Sequence, residues 1–244
     1  MNQFERPRGG QRIIVALDFP SIEAARPVSA ALAPLGSIQK VGLQLIMASS
    51  AREAVEMVHT NGGGVFLDGK FHDIPNTVGG ATAAVAALGV AMLNVHASAG
   101  IEAMQKAVVN RGMALVLAVT VLTSLGEDDV NYIYCSYSGA KVIQLAHDAK
   151  DAGCHGIICS PHELQMIREQ DDLAGMMCVT PGIRAADAPK DDQNRTMTAA
   201  ECVLAGGDYV VIGRPITQAS DPLAAFQSFV AEIEAAEAEL AAKA

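Results

Sequence analysis

The sequence has no CxxC pair, no apolar run long enough to cross a bilayer and no excess of basic residues, and each absence removes a class of protein. The five cysteines, at 135, 154, 159, 178 and 202, are odd in number and lie among apolar neighbours, which predicts reduced, buried thiols rather than a disulfide framework. The opening MNQFERPRGGQR lacks the apolar core of a signal peptide. The most apolar segment, GMALVLAVTVL, falls short of the roughly 20 residues that span a membrane. With 27 acidic and 17 basic side chains the net charge is −10, which leaves no basic face for nucleic acid or an anionic membrane. Local binding of a small anion stays open. No linker, low-complexity tract or break in composition interrupts the 244 residues. The expectation is a soluble, cytoplasmic, single domain over 1–244, with 1–11 a short N-terminal extension and with neither nucleic-acid nor membrane partners.

Against these absences stands a regular alternation. Eight apolar, β-branched runs recur: RIIVALDF (12–19), IQKVGLQ (38–44), GVFLDGK (64–70), MLNVHAS (92–98), ALVLAVTVL (114–122), HGIICSP (155–161), MCVTPGI (177–183) and YVVIGRP (209–215). Near-continuous apolar strands suit a parallel sheet covered on both faces. Ala-rich amphipathic stretches separate them, at 21–36, 48–60 and 138–153, and a long one closes the chain from 220. Gly36, Gly89, Gly153 and Gly206 stand where helix C-caps are expected. Eight βα units predict a (β/α)₈ TIM barrel. An open doubly wound sheet is the rival, but no GxGxxG turn follows the first run.

In such a barrel the C-terminal strand ends build the site. Read in order they carry Asp18, Lys40, Asp68 with Lys70, His96, Thr123 with Ser124, Ser160, Arg184 and Arg214, whereas the N-terminal ends show nothing comparable. Asp68 and Lys70 are two apart, so on a regular strand they share a face. With Lys40 and with Asp18 or Asp73 they would form an alternating array in which each charge favours its neighbours. The plain alternative is a salt-bridge cluster that caps the barrel. TPGIR (180–184) and VIGRP (211–215) end the last two strands, the usual phosphate site of this fold, and AADAPKDDQNRTM between them is long enough to be a lid with Gln193 at its tip. There, too, a tight turn with a surface arginine is the simpler reading. His72 and His96 can equally be packing histidines. Cys154, His155 and Cys159 straddle a strand start and face different sides, which argues against a metal site.

DGKFHDIPNT (68–77), with LDF at 17–19, Lys40, VTVLTS at 119–124, TPGIR and VIGRPI, resembles the orotidine 5′-monophosphate decarboxylases of the bacterial type from the first strand to the last. The resemblance implies decarboxylation of orotidine monophosphate to uridine monophosphate, the last step of de novo pyrimidine synthesis, by a homodimer using no metal or organic cofactor. It assigns Lys70 as proton donor to C6 and places Asp68 beside the substrate carboxylate. Asp73 and Thr77 would enter the site from the partner subunit, with Ile74 on the same segment. Asp18 and Lys40 would contact the ribose, Thr123 and Ser124 the pyrimidine, and Arg184, Gln193, Gly213 and Arg214 the phosphate. Gly69 departs from the larger apolar residue of many relatives, which touches local packing on the helix side. Two rivals remain: the Mg²⁺-dependent 3-keto-gulonate-6-phosphate decarboxylases and hexulose-phosphate synthases, which share the Asp-x-Lys-x-x-Asp core, and a non-catalytic barrel that binds a phosphate ligand.

Overall fold

The computed structural model describes residues 7–184 and 197–243. Its eight strands pair in sequence order into a closed parallel barrel, β1 against β8 completing the ring. They are β1 (Ile13–Ala16), β2 (Ile38–Gly42), β3 (Gly64–Phe71), β4 (Met92–His96), β5 (Leu115–Val119), β6 (Gly156–Ile158), β7 (Met177–Thr180) and β8 (Tyr209–Ile212). All eight expected runs are strands, each shorter than its apolar stretch except β3. The trimmed residues lie beyond the strands, Asp18 in the loop after β1 and Arg214 at the start of the short helix Arg214–Thr217. A barrel strand needs only enough length to cross the ring, and several of the residues that follow reach its C-terminal rim.

The helices are α1 (Ile22–Leu32), α2 (Leu43–Ala48), α3 (Ala51–Thr60), α4 (Pro75–Ala86), α5 (Ile101–Asn110) and α6 (Glu127–Tyr134). They continue with α7 (Ser138–Asp151), α8 (Leu164–Arg168), α9 (Ala199–Leu204), α10 (Arg214–Thr217) and α11 (Pro222–Lys243). Gly36, Gly89, Gly153 and Gly206 have φ between 74° and 97°, as their capping role requires. No helix among the described residues is long and apolar enough to cross a membrane.

Alternation along the strands sorts the core into two layers. Ile14, Phe66, Met92, Leu117, Met177, Val179 and Tyr209 fill the barrel interior. Ile13, Val15, Val65, Leu67, Leu93 and Val95 point outward under the helices. Continuing inward one step toward the C-terminal rim gives Lys40 after Ile38, Asp68 after Phe66 and Asn94 after Met92. The apolar plug of the barrel is therefore the floor of whatever those side chains build.

Three expectations need correction. The N-terminal ends are not bare: Arg12, before β1, bonds Glu237 of α11 at 2.6 Å and the carbonyls of Gly207 and Asp208. Beside it Arg168 pairs with buried Asp208 at 2.8 Å and binds the carbonyls of Gly206 and Met176. Nor are residues 9–11 merely an extension; they form a 3-10 turn with Arg12, and the Gly9 N–H donates to Glu237. Finally, Cys135 is exposed at the end of α6, while the other four cysteines are buried and all five are free.

Candidate active site

A cavity of about 700 Å³ opens at the C-terminal rim, between the ends of β1, β2, β3, β5, β6, β7 and β8. On one wall four ionised side chains form a chain. Asp18 accepts from Lys40 Nζ at 2.9 Å, and Lys40 Nζ lies 3.3 Å from the second oxygen of interest, Oδ2 of Asp68. Asp68 Oδ1 in turn accepts from Lys70 Nζ at 2.5 Å. The pairing brings four of the expected residues together from two strands, β2 and β3, and the loop after β1. Burial grades along the chain: the side chains of Lys40 and Asp68 are 10% and 9% exposed, those of Lys70 and Asp18 31% and 51%. All four line the cavity, the inner pair more deeply buried than the outer two.

Burial alone would discharge the inner pair. Lys40 loses hydration, which pulls its pKa down, but the Asp68 and Asp18 carboxylates outweigh that loss and hold it above the ordinary lysine value. Asp68 is pushed up by burial, yet Lys40, Lys70 and the Asn94 amide together bring it below the usual carboxylate range. Opposite unit charges 4 Å apart attract by roughly 4 kcal/mol at an effective dielectric of about 20, comparable to such a desolvation cost. The inner pair stays ionised because each member is flanked by opposite charge.

The backbone that delivers Lys70 departs from the expected regular strand. Between Leu67 and Phe71 β3 spends four residues where β4 spends two, Leu93 to Val95, so the ladder is interrupted. Lys70 sits there in the left-handed region, φ 47°. Asp68 and Lys70 thus meet across a bulge, not through simple period-two alternation. Gly69 lies on the side of Phe71, whose ring packs against the outer core. A Cβ at 69 would stand 2.7 Å from that ring, so the departure from larger residues fits the crowding found here.

Two contributors escaped the sequence reading. Asn94, fully buried on β4, donates to Asp68 Oδ1 at 2.6 Å and accepts the Lys70 N–H at 2.7 Å. The signal was a lone amide in the apolar MLNVH strand. Gly42 ends β2 where a Cβ would stand 2.7 Å from Lys40 Nζ and 3.1 Å from Asp18 Oδ1. Only a hydrogen leaves the lysine room between its two acids.

The other expected residues divide. Thr123, Arg184, Gly213 and Arg214 line the same cavity, whereas Ser124 is exposed and does not. Asp73, Ile74 and Thr77 are exposed around the start of α4, outside the array of their own chain. Asp73 Oδ1 accepts the Ile74 N–H. Gln193 and most of the expected lid lie outside the described residues. Ser160 is buried and absent from the cavity wall; its N–H donates to Glu163, capping a 3-10 turn. His96 stands with its ring centre 5.3 Å from that of His72. Burial first, then His72 and Lys70, lowers its pKa to about 4. His155 Nδ1 accepts the Val116 N–H, and burial pushes the Cys154 thiol up to about 12. Among the described residues no three His, Cys, Asp or Glu side chains are grouped to hold a metal ion.

Comparison with known proteins agrees with this architecture. Residues 11–229 match the model of the orotidine 5'-phosphate decarboxylase / HUMPS family. An orotidine 5'-phosphate decarboxylase of Moorella thermoacetica is 42% identical, with 96% of each chain covered. One of Anaeromyxobacter sp. is 46% identical over 91% of this chain and 97% of its own. The crystal structure of orotidine 5'-phosphate decarboxylase from Lactobacillus acidophilus superposes with a TM-score of 0.79 at 34% identity, covering 94% of this chain and 99% of that one. With the closed barrel and the charge-lined cavity at its rim, this chain belongs to the orotidine 5'-phosphate decarboxylase / HUMPS family and is a carboxy-lyase.

Proposed function

We propose that the protein converts orotidine 5′-monophosphate to uridine 5′-monophosphate and CO₂, the last step of pyrimidine nucleotide synthesis, with no metal or organic cofactor. The observation that carries this reading is the Lys40–Asp68–Lys70 chain at the cavity wall, completed by Asp18. When the C6–carboxyl bond breaks, its electron pair stays in the ring plane at C6, where no π system can spread it. Stabilisation must come from fixed charge. The Lys70 ammonium, held by Asp68 and facing the cavity, supplies that charge and then gives its proton to C6; solvent restores the proton afterwards. Asp68 fixes the lysine and stands beside the departing carboxylate, so binding crowds two anions. Contacts to the remote phosphate offset that crowding.

Arg184, Gly213 and Arg214 suit the phosphate, with Gln193 completing the grip. A Cβ at Gly213 would meet Ala16 only at 3.5 Å, an ordinary contact, and the glycine leaves its backbone open to close approach by a ligand. Thr123 faces the same cavity and suits the pyrimidine, with Ser124 beside it; Asp18 and Lys40 suit the ribose. The exposure of Asp73, Ile74 and Thr77 supports their reaching the site of a second subunit in a homodimer.

The test is direct: purified protein in EDTA should consume the orotidylate absorbance and form uridine monophosphate. Activity that vanishes with the chelator and returns with Mg²⁺ would point instead to the enediolate chemistry of the sugar-phosphate decarboxylases. Subunit sharing has its own test. Mixed inactive Lys70→Ala and Asp73→Ala proteins should regain about a quarter of the wild-type rate per site pool as hybrid dimers form, since each hybrid assembles one intact site of two; no recovery despite proven exchange sinks the shared site.

A further inference from the structure

The bulge in β3 leaves a question that the charge array does not answer. Lys70 has left the β3–β4 ladder, its backbone is in a conformation that L residues avoid, and its N–H has lost the β4 carbonyl a regular strand would offer. Something must hold it there. The Lys70 N–H donates to Asn94 Oδ1 at 2.7 Å, and the other end of that amide donates to Asp68 Oδ1 at 2.6 Å. Both partners are of one kind only, an N–H that must donate and a carboxylate that must accept, so the amide has one orientation. Asn94 is fully buried, on the inward face of β4 with Met92 below it.

We propose that Asn94 is the positioning residue of the reacting pair, its single side chain locking the Lys70 backbone and the Asp68 carboxylate in one geometry. This rests on the reading of Lys70 and Asp68 as the groups that act on the substrate. Neither aspartate nor alanine performs both halves at this position. Aspartate can accept the N–H but sets a second anion 2.6 Å from Asp68; alanine satisfies neither. The amide replaces a ladder carbonyl and thereby ties backbone register to side-chain chemistry. A residue acting this way affects the approach of the ammonium to C6 more than the grip on the remote phosphate.

The test uses the full-length protein, with Asn94→Ala and Asn94→Asp. For Asn94→Ala, kcat should fall about 30-fold, equivalent to about 2 kcal/mol, while KM and uridine monophosphate binding stay within about threefold. Amide exchange at Lys70 should accelerate. Asn94→Asp should be as impaired at pH 8, but should recover about tenfold relative to wild type toward pH 5.5. There the two acids share a proton, and the protonated one donates as the amide did. Asn94→Ala, with nothing to protonate, should show no such recovery. Asn94→Ala within twofold of the wild-type kcat would overturn the proposal alone. So would loss of kcat, substrate binding and thermal stability together, with Asn94→Asp following Asn94→Ala at every pH. An inactive wild type would overturn the functional reading itself.

Discussion

The barrel carries a charged cluster at each end, and the two are built on opposite plans. At the N-terminal end Arg12 and Arg168 spend their guanidinium donors on backbone carbonyls and on Glu237 and Asp208. Asp208 also accepts the Cys178 N–H, knitting α8 to the starts of β7 and β8. At the C-terminal end two lysines and two aspartates bond chiefly to one another, and the outer members face a cavity. Arginine suits the first task because its planar fork saturates several acceptors at once. Lysine suits the second because its ammonium is a point charge that can surrender a proton. Geometry of partners, more than burial or charge count, separates a cluster that holds the fold from one that is available for chemistry.

That contrast can be broken from either side. The largest effect is expected from Lys70→Ala, which should lower kcat by about 10,000-fold or more while leaving product binding and the unfolding midpoint nearly unchanged. Steady-state kinetics with a thermal melt decides it, and near-normal turnover would put the rim cluster in the same class as the other. Next, Arg168→Met should strand the buried Asp208 carboxylate and cost about 3–5 kcal/mol, a fall in midpoint of about 10 °C, with kcat of the folded protein within a few-fold of wild type. A melt that barely moves would show that the lower cluster is not the structural one. The smallest effect concerns His96. Its folded pKa, about 4, lies below the unfolded value near 6.5, so the unfolded chain binds the proton more readily. Stability should therefore decline as pH falls from about 6.5 toward 4 and level off below. Denaturant midpoints across that range should flatten in His96→Gln, and an unchanged slope would remove His96 as the cause.

The sequence made parts of this legible for physical reasons. Eight β-branched runs with capping glycines could only be strands between helices, and a charged pair after GVFL had to sit at a strand end. Lys40 joined it because it lies on the neighbouring strand, and Asp18 because it follows the next strand round the ring. Proximity that depends on distant helices was not readable: Arg12 meets Glu237 across 225 positions and Arg168 meets Asp208 across 40. Nor was the bulge, since a rule of alternation gives the same answer for a regular strand and for the irregular one observed. Asn94 was passed over because it lies inside an apolar run rather than at its end, although an amide in such a place always has partners to find. Cys135 follows four residues of mixed character, NYIY, and the face that meets solvent there is set by where α6 stops.

The left-handed turn at residue 70 has one more implication, for anyone who would make this protein sturdier. A side chain in that backbone conformation costs about 1–2 kcal/mol that glycine would not incur. Lys70→Gly would relax the chain and discard the ammonium in the same step, leaving Asp68 to Lys40 and Asn94. Under the proposed function, backbone relaxation and turnover pull against each other at this position.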